Sequence, residues 1–410
     1  MIIVIQIQAA PYQTEQLPYI YISMDQLSQK RVISIDILRG IVMVIMALDH
    51  TRDYFTDFFH NPTDLQHAST AMFFTRWITH FCAPVFVFLA GTSAFLSLGK
   101  GKTKKEAALF LLSRGLWLII LELTIVRFGW QFNLDYTQVF VQVIWAIGWS
   151  MIFLAGLIFL PRPAILTIGL VMILGHNTLD SIRASSFGEH AMWWNIIHEF
   201  GFLQFDGWGA MVIYPLVPWI GVMATGYCFG ALFRQDEQTR NKNLLAIGLS
   251  AIGLFVVLRF TNSYGDPNPW SAQPAWWRTV LSFINCEKYP PSLLYLLMTI
   301  GPAITIMPIL EKANNAVGRK FIVFGRVPMF YYIMHIYLVH TMAIIVAMMK
   351  GIPYHYFTDN DNIFAPKPGW GFALPYVYLY WILAVALLYL PCRWFMRVKA
   401  TNKKWWLSYI

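Results

Sequence analysis

Between Asp49 and Asp53 the chain reads Asp-His-Thr-Arg-Asp, two carboxylates, an imidazole and a guanidinium at consecutive or near-consecutive positions. A histidine with a reference pKa near 6.5 takes up and returns a proton at neutral pH. A carboxylate beside it fixes its tautomer and stabilises the imidazolium. Asp49, His50 and Asp53 supply these residue types, and His50 and Asp53 share a face at i,i+3 spacing if the helix continues. The plainer alternative is a solvated, helix-capping cluster at a membrane boundary. Further histidines gather in the same class of segments: His60, His67, His80, His190, His198 and His355.

A second chemistry is offered by arginines inside apolar segments: Arg39, Arg114 and Arg326. Guanidinium binds phosphate bidentately and keeps its charge when buried, so three of them suit a polyanion. Charges at that depth are costly and face protein or water. The structural alternative for Arg39 is mutual neutralisation with Asp36 at i,i+3. Arg114 has Glu122 two turns away, too far for a local pair. His335, one turn beyond Tyr332, reads as a buried interhelical hydrogen-bonder rather than a catalyst.

The elements that must position these groups are apolar helices. The chain of 410 residues is 57% hydrophobic, 17% aromatic and 12% charged. That charged fraction is about half that of soluble domains. Ten apolar segments recur, at about 32–49, 76–98, 106–127, 139–160, 164–181, 208–233, 244–260, 292–310, 321–348 and 374–397. This pattern predicts an all-α, polytopic membrane protein of about ten transmembrane helices. Tyr214-Pro-Leu-Val-Pro218 is expected to kink the sixth, and Tyr289-Pro-Pro-Ser292 to set the start of the eighth.

Basic residues set the orientation. With the N-terminus in the cytoplasm, the inner segments hold 18 of the 30 Lys and Arg residues. The outer loops are longer in total and hold fewer than half as many. The positive-inside rule therefore predicts both termini in the cytoplasm, and it explains the net charge of +9 better than nucleic acid does. These histidines then fall on or near the outer face, and the three arginines in the inner third. Residues 1–30 read as an N-terminal tail, of which 1–23 resemble an extension ahead of a natural start at Met24. Residues 31–398 read as one transmembrane domain and 399–410 as a basic cytoplasmic tail. The four cysteines form no metal pattern, and no Walker A, HExxH or GxSxG motif occurs. No metal is expected.

Arg31-x-x-Ser-Ile-Asp-x-x-Arg-Gly40, Asp49-His-x-Arg-Asp53 and Ala83-Pro-Val-Phe-Val-Phe-Leu-Ala-Gly91 together resemble the heparan-α-glucosaminide N-acetyltransferase-like family, within a wider transmembrane acyltransferase group. Asp206-Gly-Trp-Gly209, Tyr214-Pro-Leu-Val-Pro-Trp-Ile-Gly221, Lys288-Tyr-Pro-Pro-Ser-Leu-Leu293 and Gly325-Arg-Val-Pro-Met-Phe-Tyr331 extend the likeness, toward its bacterial branch. The resemblance implies acyl transfer across the cytoplasmic (inner) membrane. A cytoplasmic acyl-CoA, most simply acetyl-CoA, donates, and a sugar amine or hydroxyl of a glycan outside accepts. It also implies a histidine catalyst at the membrane boundary. His50 and His67 are the two candidates: by spacing from the Arg-Gly pair His50 stands where the family's lysosomal enzyme has an asparagine, while that enzyme's catalytic histidine lies in the following loop in a His-Ala-Ser context, which His67-Ala-Ser69 matches in a longer loop. Asp49 or Asp53 would orient the imidazole, and Arg39, Arg114 and Arg326 would hold the CoA phosphates. Two other classes compete: a proton-coupled transporter or permease, which also uses intramembrane Arg, Glu and His, and a non-catalytic membrane assembly partner. A homo-oligomer is compatible with each.

Overall fold

The computed structural model describes residues 32–98, 103–360, 366–402 and 404–409. The tail expected at 1–30 lies outside them, as does most of the basic run from Gly99. The chain is mostly helical, and it is organised around α1 (Ile33–Phe55). At 23 residues α1 is about 34 Å long, enough to cross a hydrocarbon layer of about 30 Å. Asp36 stands in its first turn and Arg52 in its last, each complementing the helix dipole.

Among the described residues, six helices pack most extensively on α1. They are α2 (Thr70–Thr79), α3 (Cys82–Leu98), α13 (Met307–Glu311), α14 (Ala316–Arg326), α15 (Pro328–Met349) and α16 (Leu374–Thr401). Outside this group lie α4 (Lys104–Leu121), α5 (Arg127–Gln131), α6 (Val143–Leu157), α7 (Arg162–Gly175), α8 (Ala191–Ile197), α9 (Leu216–Phe229), α10 (Glu237–Thr261), α11 (Trp276–Ile284) and α12 (Leu293–Thr305). Helices in lipid gain little from mutual burial of apolar surface, so they use small residues to bring backbones close. The crossing of α1 and α14 is the tightest such contact that bears on the site. A Cβ on Gly40 would lie 2.0 Å from the Phe321 carbonyl oxygen, and one on Gly325 would lie 1.9 Å from that of Asp36. The neighbours of these two glycines are Arg39 and Arg326.

Among the described residues, eight helical stretches are long and apolar enough to cross a membrane. They account for eight of the ten expected segments, which makes this a multi-pass membrane protein. The other two expected segments contain α1, which is long but carries several charges, and α6, which is apolar but only 15 residues long.

Three expectations of detail change. First, the chain is not purely helical. Strands β1 (Gln138–Val141), β2 (Gly201–Phe205) and β3 (Trp208–Val212) form one sheet in the order β1-β3-β2, with β1 parallel and β2 antiparallel to β3. The expected helices at 139–160 and 208–233 therefore begin later, at Val143 and Leu216. Asp206-Gly207 makes the β2–β3 turn, and Gly207 sits at φ +76°, a conformation that costs glycine nothing. Second, Pro215 does not kink a helix but precedes its first residue. A residue before proline is pushed out of the α region, so Tyr214-Pro215 ends the strand layer and starts α9. Third, the segment 321–348 is two helices, α14 and α15, broken at Val327-Pro328. Tyr289-Pro-Pro-Ser292 does lead into α12, whose Tyr295 amide is capped by Ser292 Oγ at 3.0 Å.

Candidate active site

The α1–α14 crossing places a carboxylate between two guanidiniums. Asp36 Oδ1 is 3.5 Å from Arg39 Nη1, and Asp36 Oδ2 accepts from Arg326 Nε at 3.1 Å. Arg39 also donates to the Gly325 carbonyl at 3.2 Å and to Ser93 Oγ of α3 at 2.8 Å. The local Asp36–Arg39 pair expected as the structural alternative is therefore present, but it is shared with Arg326. Arg114 of α4 lies near enough to Arg39 for their charges to repel. The three arginines expected to act together are thus in one region, with one carboxylate among them. The C-terminal residues return to the same region, where Tyr409 Oη meets Ser113 Oγ at 2.8 Å.

At the opposite end of α1, His50 turns to a partner from α15. Its Nδ1 lies 2.6 Å from His335 Nε2, and His335 Nδ1 lies 3.0 Å from the Tyr331 carbonyl oxygen. A carbonyl only accepts, so the proton of neutral His335 sits on Nδ1 and its Nε2 is an acceptor. His50 must then donate from Nδ1. Its remaining nitrogen, Nε2, carries a free lone pair and is the basic position. Trp130 of α5 stands edge-on to the His50 ring at 4.8 Å, and Tyr332 at 6.3 Å. His335 is fully buried while His50 is only partly so.

Asp49 and Asp53 bond cations and not this imidazole. Asp49 is bonded by Arg76 of α2, lies 3.0 Å from Arg52 Nη2, and has Lys288 Nζ at 4.0 Å. Asp53 accepts from Arg52 Nη2 at 2.6 Å. No hydrogen bond joins either carboxylate to His50 among the described residues. Cations outcompete a neutral imidazole for a buried carboxylate because the paired charges repay more of the desolvation cost. Three cations face two carboxylates here, and Arg52 Nη1 and His80 Nδ1 are buried without a hydrogen-bond partner among the described residues.

The carboxylate–histidine pair expected around His50 occurs instead at His67. His67 Nδ1 lies 2.6 Å from Asp64 Oδ2 in an exposed loop, and this hydrogen bond holds the Asp64 carboxyl below the usual carboxylate range. The His67 ring stacks on His60 at 4.3 Å. Ala68 is buried and Ser69 Oγ accepts from the Met72 amide at 3.1 Å, so both have structural roles at the start of α2. His60 lines a cleft of about 160 Å³ with Arg52, Asp53, Phe59, Lys367 and Trp370.

Arg76, Lys288 and the pairing of His335 were missed from the sequence. A signal existed for Arg76, an arginine inside the apolar segment 76–98, because intramembrane charge marks a site by default. His335 is the buried interhelical hydrogen-bonder expected of it, but nothing in the sequence names its partner, which lies 285 residues away.

The multi-pass helical protein thus carries an arginine group toward one end of its central helix and a histidine pair toward the other. Residues 31–259, more than half of the chain, match the family model described as heparan-alpha-glucosaminide N-acetyltransferase, catalytic, and the chain belongs to that family. Membership carries a membrane acetyltransferase-like function. No curated protein matches the chain. Arg39, His50, His67 and Arg114 fall within the matched stretch; Arg326 and His335 lie beyond it.

Proposed function

We propose that the protein transfers an acyl group, most simply acetyl, from a cytoplasmic acyl-CoA to a sugar amine or hydroxyl on the outer side of the cytoplasmic membrane. The observation that carries this reading is the span of α1. Arg39 and His50 are eleven residues apart, about 16 Å along a helix. The extended pantetheine arm of coenzyme A, about four residue-lengths of chain at roughly 3.5 Å each, reaches about 14 Å. Phosphates held at Arg39, Arg114 and Arg326 would therefore leave a thioester close to the level of His50. The basic residue count supports an inward Arg39 end, and with it about ten crossings and both termini inside.

His50 acts as the general base. Its Nε2 takes the proton of the acceptor amine or hydroxyl as that atom bonds to the acyl carbon. The carbon–sulfur bond breaks, and the proton passes from His50 to the departing thiolate. His335 acts through His50 by keeping the basic lone pair on Nε2. Arg52, Arg76 and Lys288 surround the carboxylates beside it and keep the region cationic, which favours a developing oxyanion over a neutral carbonyl. Transfer of labelled acetyl from acetyl-CoA to glucosamine across sealed vesicles of the purified protein tests the whole reading. Uptake of glucosamine with no chemical change would overturn it in favour of a carrier.

His67 is then an acceptor-binding residue rather than the base. His67→Ala is expected to raise the KM for the acceptor severalfold with kcat little changed, since it removes one hydrogen bond at an exposed position. Loss of kcat with acceptor KM unchanged would exchange the roles of His67 and His50.

The cleft beside His60 adds a pH dependence. Burial pushes the Lys367 ammonium down to about 8. Below that pH the side chain is charged, and above it neutral, so the cleft loses a positive charge as the pH rises. Competition by N-acetylglucosamine 6-sulfate is expected to weaken as the pH rises through about 8. Competition by uncharged N-acetylglucosamine should stay flat, and Lys367→Arg should remove the difference. Parallel pH profiles for the two sugars would show that Lys367 does not face the acceptor.

A further inference from the structure

The three-stranded sheet takes no part in the chemistry above. Its register nevertheless builds a hollow. Gln138 of β1 and Gln204 of β2 both pair with Gly209 of β3, so the three residues form one row across the sheet. Side chains of residues paired across strands point to the same face. The row therefore presents two amides on either side of a residue that has no side chain. One step along the same face, Phe202 pairs with Met211. Phe202 and Trp208 are about half exposed. The resulting hollow of about 280 Å³ is lined by Thr137, Gln138, Phe202, Gln204, Trp208 and the backbone of Gly207 and Gly209.

We infer that this hollow is a saccharide-binding site, separate from His50. Its lining contains amides and aromatics and no charged side chain. Each amide offers two donors and an acceptor, which matches the mixed donor and acceptor pattern of sugar hydroxyls and acetamido groups. The Gln138 side chain makes no hydrogen bond among the described residues, and Gln204 makes only a 3.4 Å contact with its neighbour's carbonyl, so both remain free to pair with a ligand. Phe202 supplies an apolar face for the C–H surface of a pyranose ring, and Trp208, stacked on Phe205 at 4.2 Å, closes the rim at the strand end. An ionic ligand would gain nothing from this lining, and a purely apolar one would strand two amides.

The floor explains the glycine. A Cβ at residue 209 would lie 3.3 Å from the Leu203 carbonyl oxygen and 3.4 Å from Gln204 Oε1, so a larger residue would crowd the amide and fill the space. The hollow also connects to the candidate active site along the chain, because α5 places Trp130 against His50 and the next element is β1. The site itself stands whether or not His50 transfers an acyl group.

The test is saturation-transfer NMR with chitobiose on the full-length protein in lipid nanodiscs. Binding is expected in the wild-type protein and in His50→Ala alike, which separates this site from the catalytic reading. Gln138→Ala and Gln204→Ala should each weaken it about fivefold, the loss of one net hydrogen bond. Gly209→Val should remove it, and the two glutamine variants keep the test valid if that variant misfolds. Absence of chitobiose binding to the wild type, or binding unchanged in both glutamine variants, overturns the inference. So does a Trp208→Ala, Phe202→Ala double variant that keeps chitobiose binding but loses stability only in nanodiscs, since that result makes the face a bilayer contact.

Discussion

His50→Ala is expected to lower acyl transfer by about 10²–10⁴-fold, the usual contribution of a general base, while acyl-CoA still binds. The buried partner makes the expectation more specific. His335→Ala removes the acceptor that holds the His50 proton on Nδ1, so both tautomers become available and the basic lone pair is no longer fixed on Nε2. A loss of about tenfold in kcat is expected, the size of one oriented hydrogen bond. His335→Gln offers an amide oxygen in place of the imidazole nitrogen and should restore part of the rate. A purely structural role for His335 predicts a lower melting temperature with no change in the pH profile of kcat. A catalytic positioning role predicts the reverse. Wild-type turnover by His50→Ala would end the proposed mechanism.

Arg326→Gln is expected to raise the KM for acetyl-CoA by roughly ten- to a hundredfold with a smaller change in kcat, because one charge-assisted hydrogen bond is worth about 1.5–3 kcal/mol. The same substitution leaves Asp36 with Arg39 as its partner at 3.5 Å, so the fold should survive. Asp36→Asn is the control. It leaves two guanidiniums close together without their shared anion, which should destabilise the bundle, and bound acyl-CoA should recover part of the loss by supplying phosphate charge. Donor KM values that do not move in Arg326→Gln, measured together with inhibition by adenosine 3′,5′-bisphosphate, would place the donor elsewhere.

Much of this arrangement could be read from residue types alone. Apolar runs located the helices, and Arg39, Arg114 and Arg326 were conspicuous because charge in an apolar segment is costly. The sheet is hidden because β3 is apolar and runs into α9, so 208–233 reads as a single segment. Only Asp206-Gly207 marked a turn. That the carboxylates beside His50 bond cations and not the imidazole is illegible for a different reason. Sequence adjacency suggests Asp49 as its partner, but on a helix successive residues point about 100° apart, and what lies across the gap decides the contact. Arg76, Lys288 and His335 come from three other elements, and no local pattern announces that they meet.

The single helix that carries both ends of the site acts as a gauge. Distance and angle along α1 are locked together, so neither can be adjusted alone. Inserting one residue between Gly40 and Asp49 lengthens the gap by only about 1.5 Å but swings His50 by about 100° away from His335. Inserting seven restores the direction to within about 20° but adds about 10.5 Å. No insertion of up to two turns preserves both settings. On the proposed reading a donor would be measured by the reach of its arm, and the gap between Arg39 and His50 would be a length standard written into the backbone rather than into any contact with the thioester.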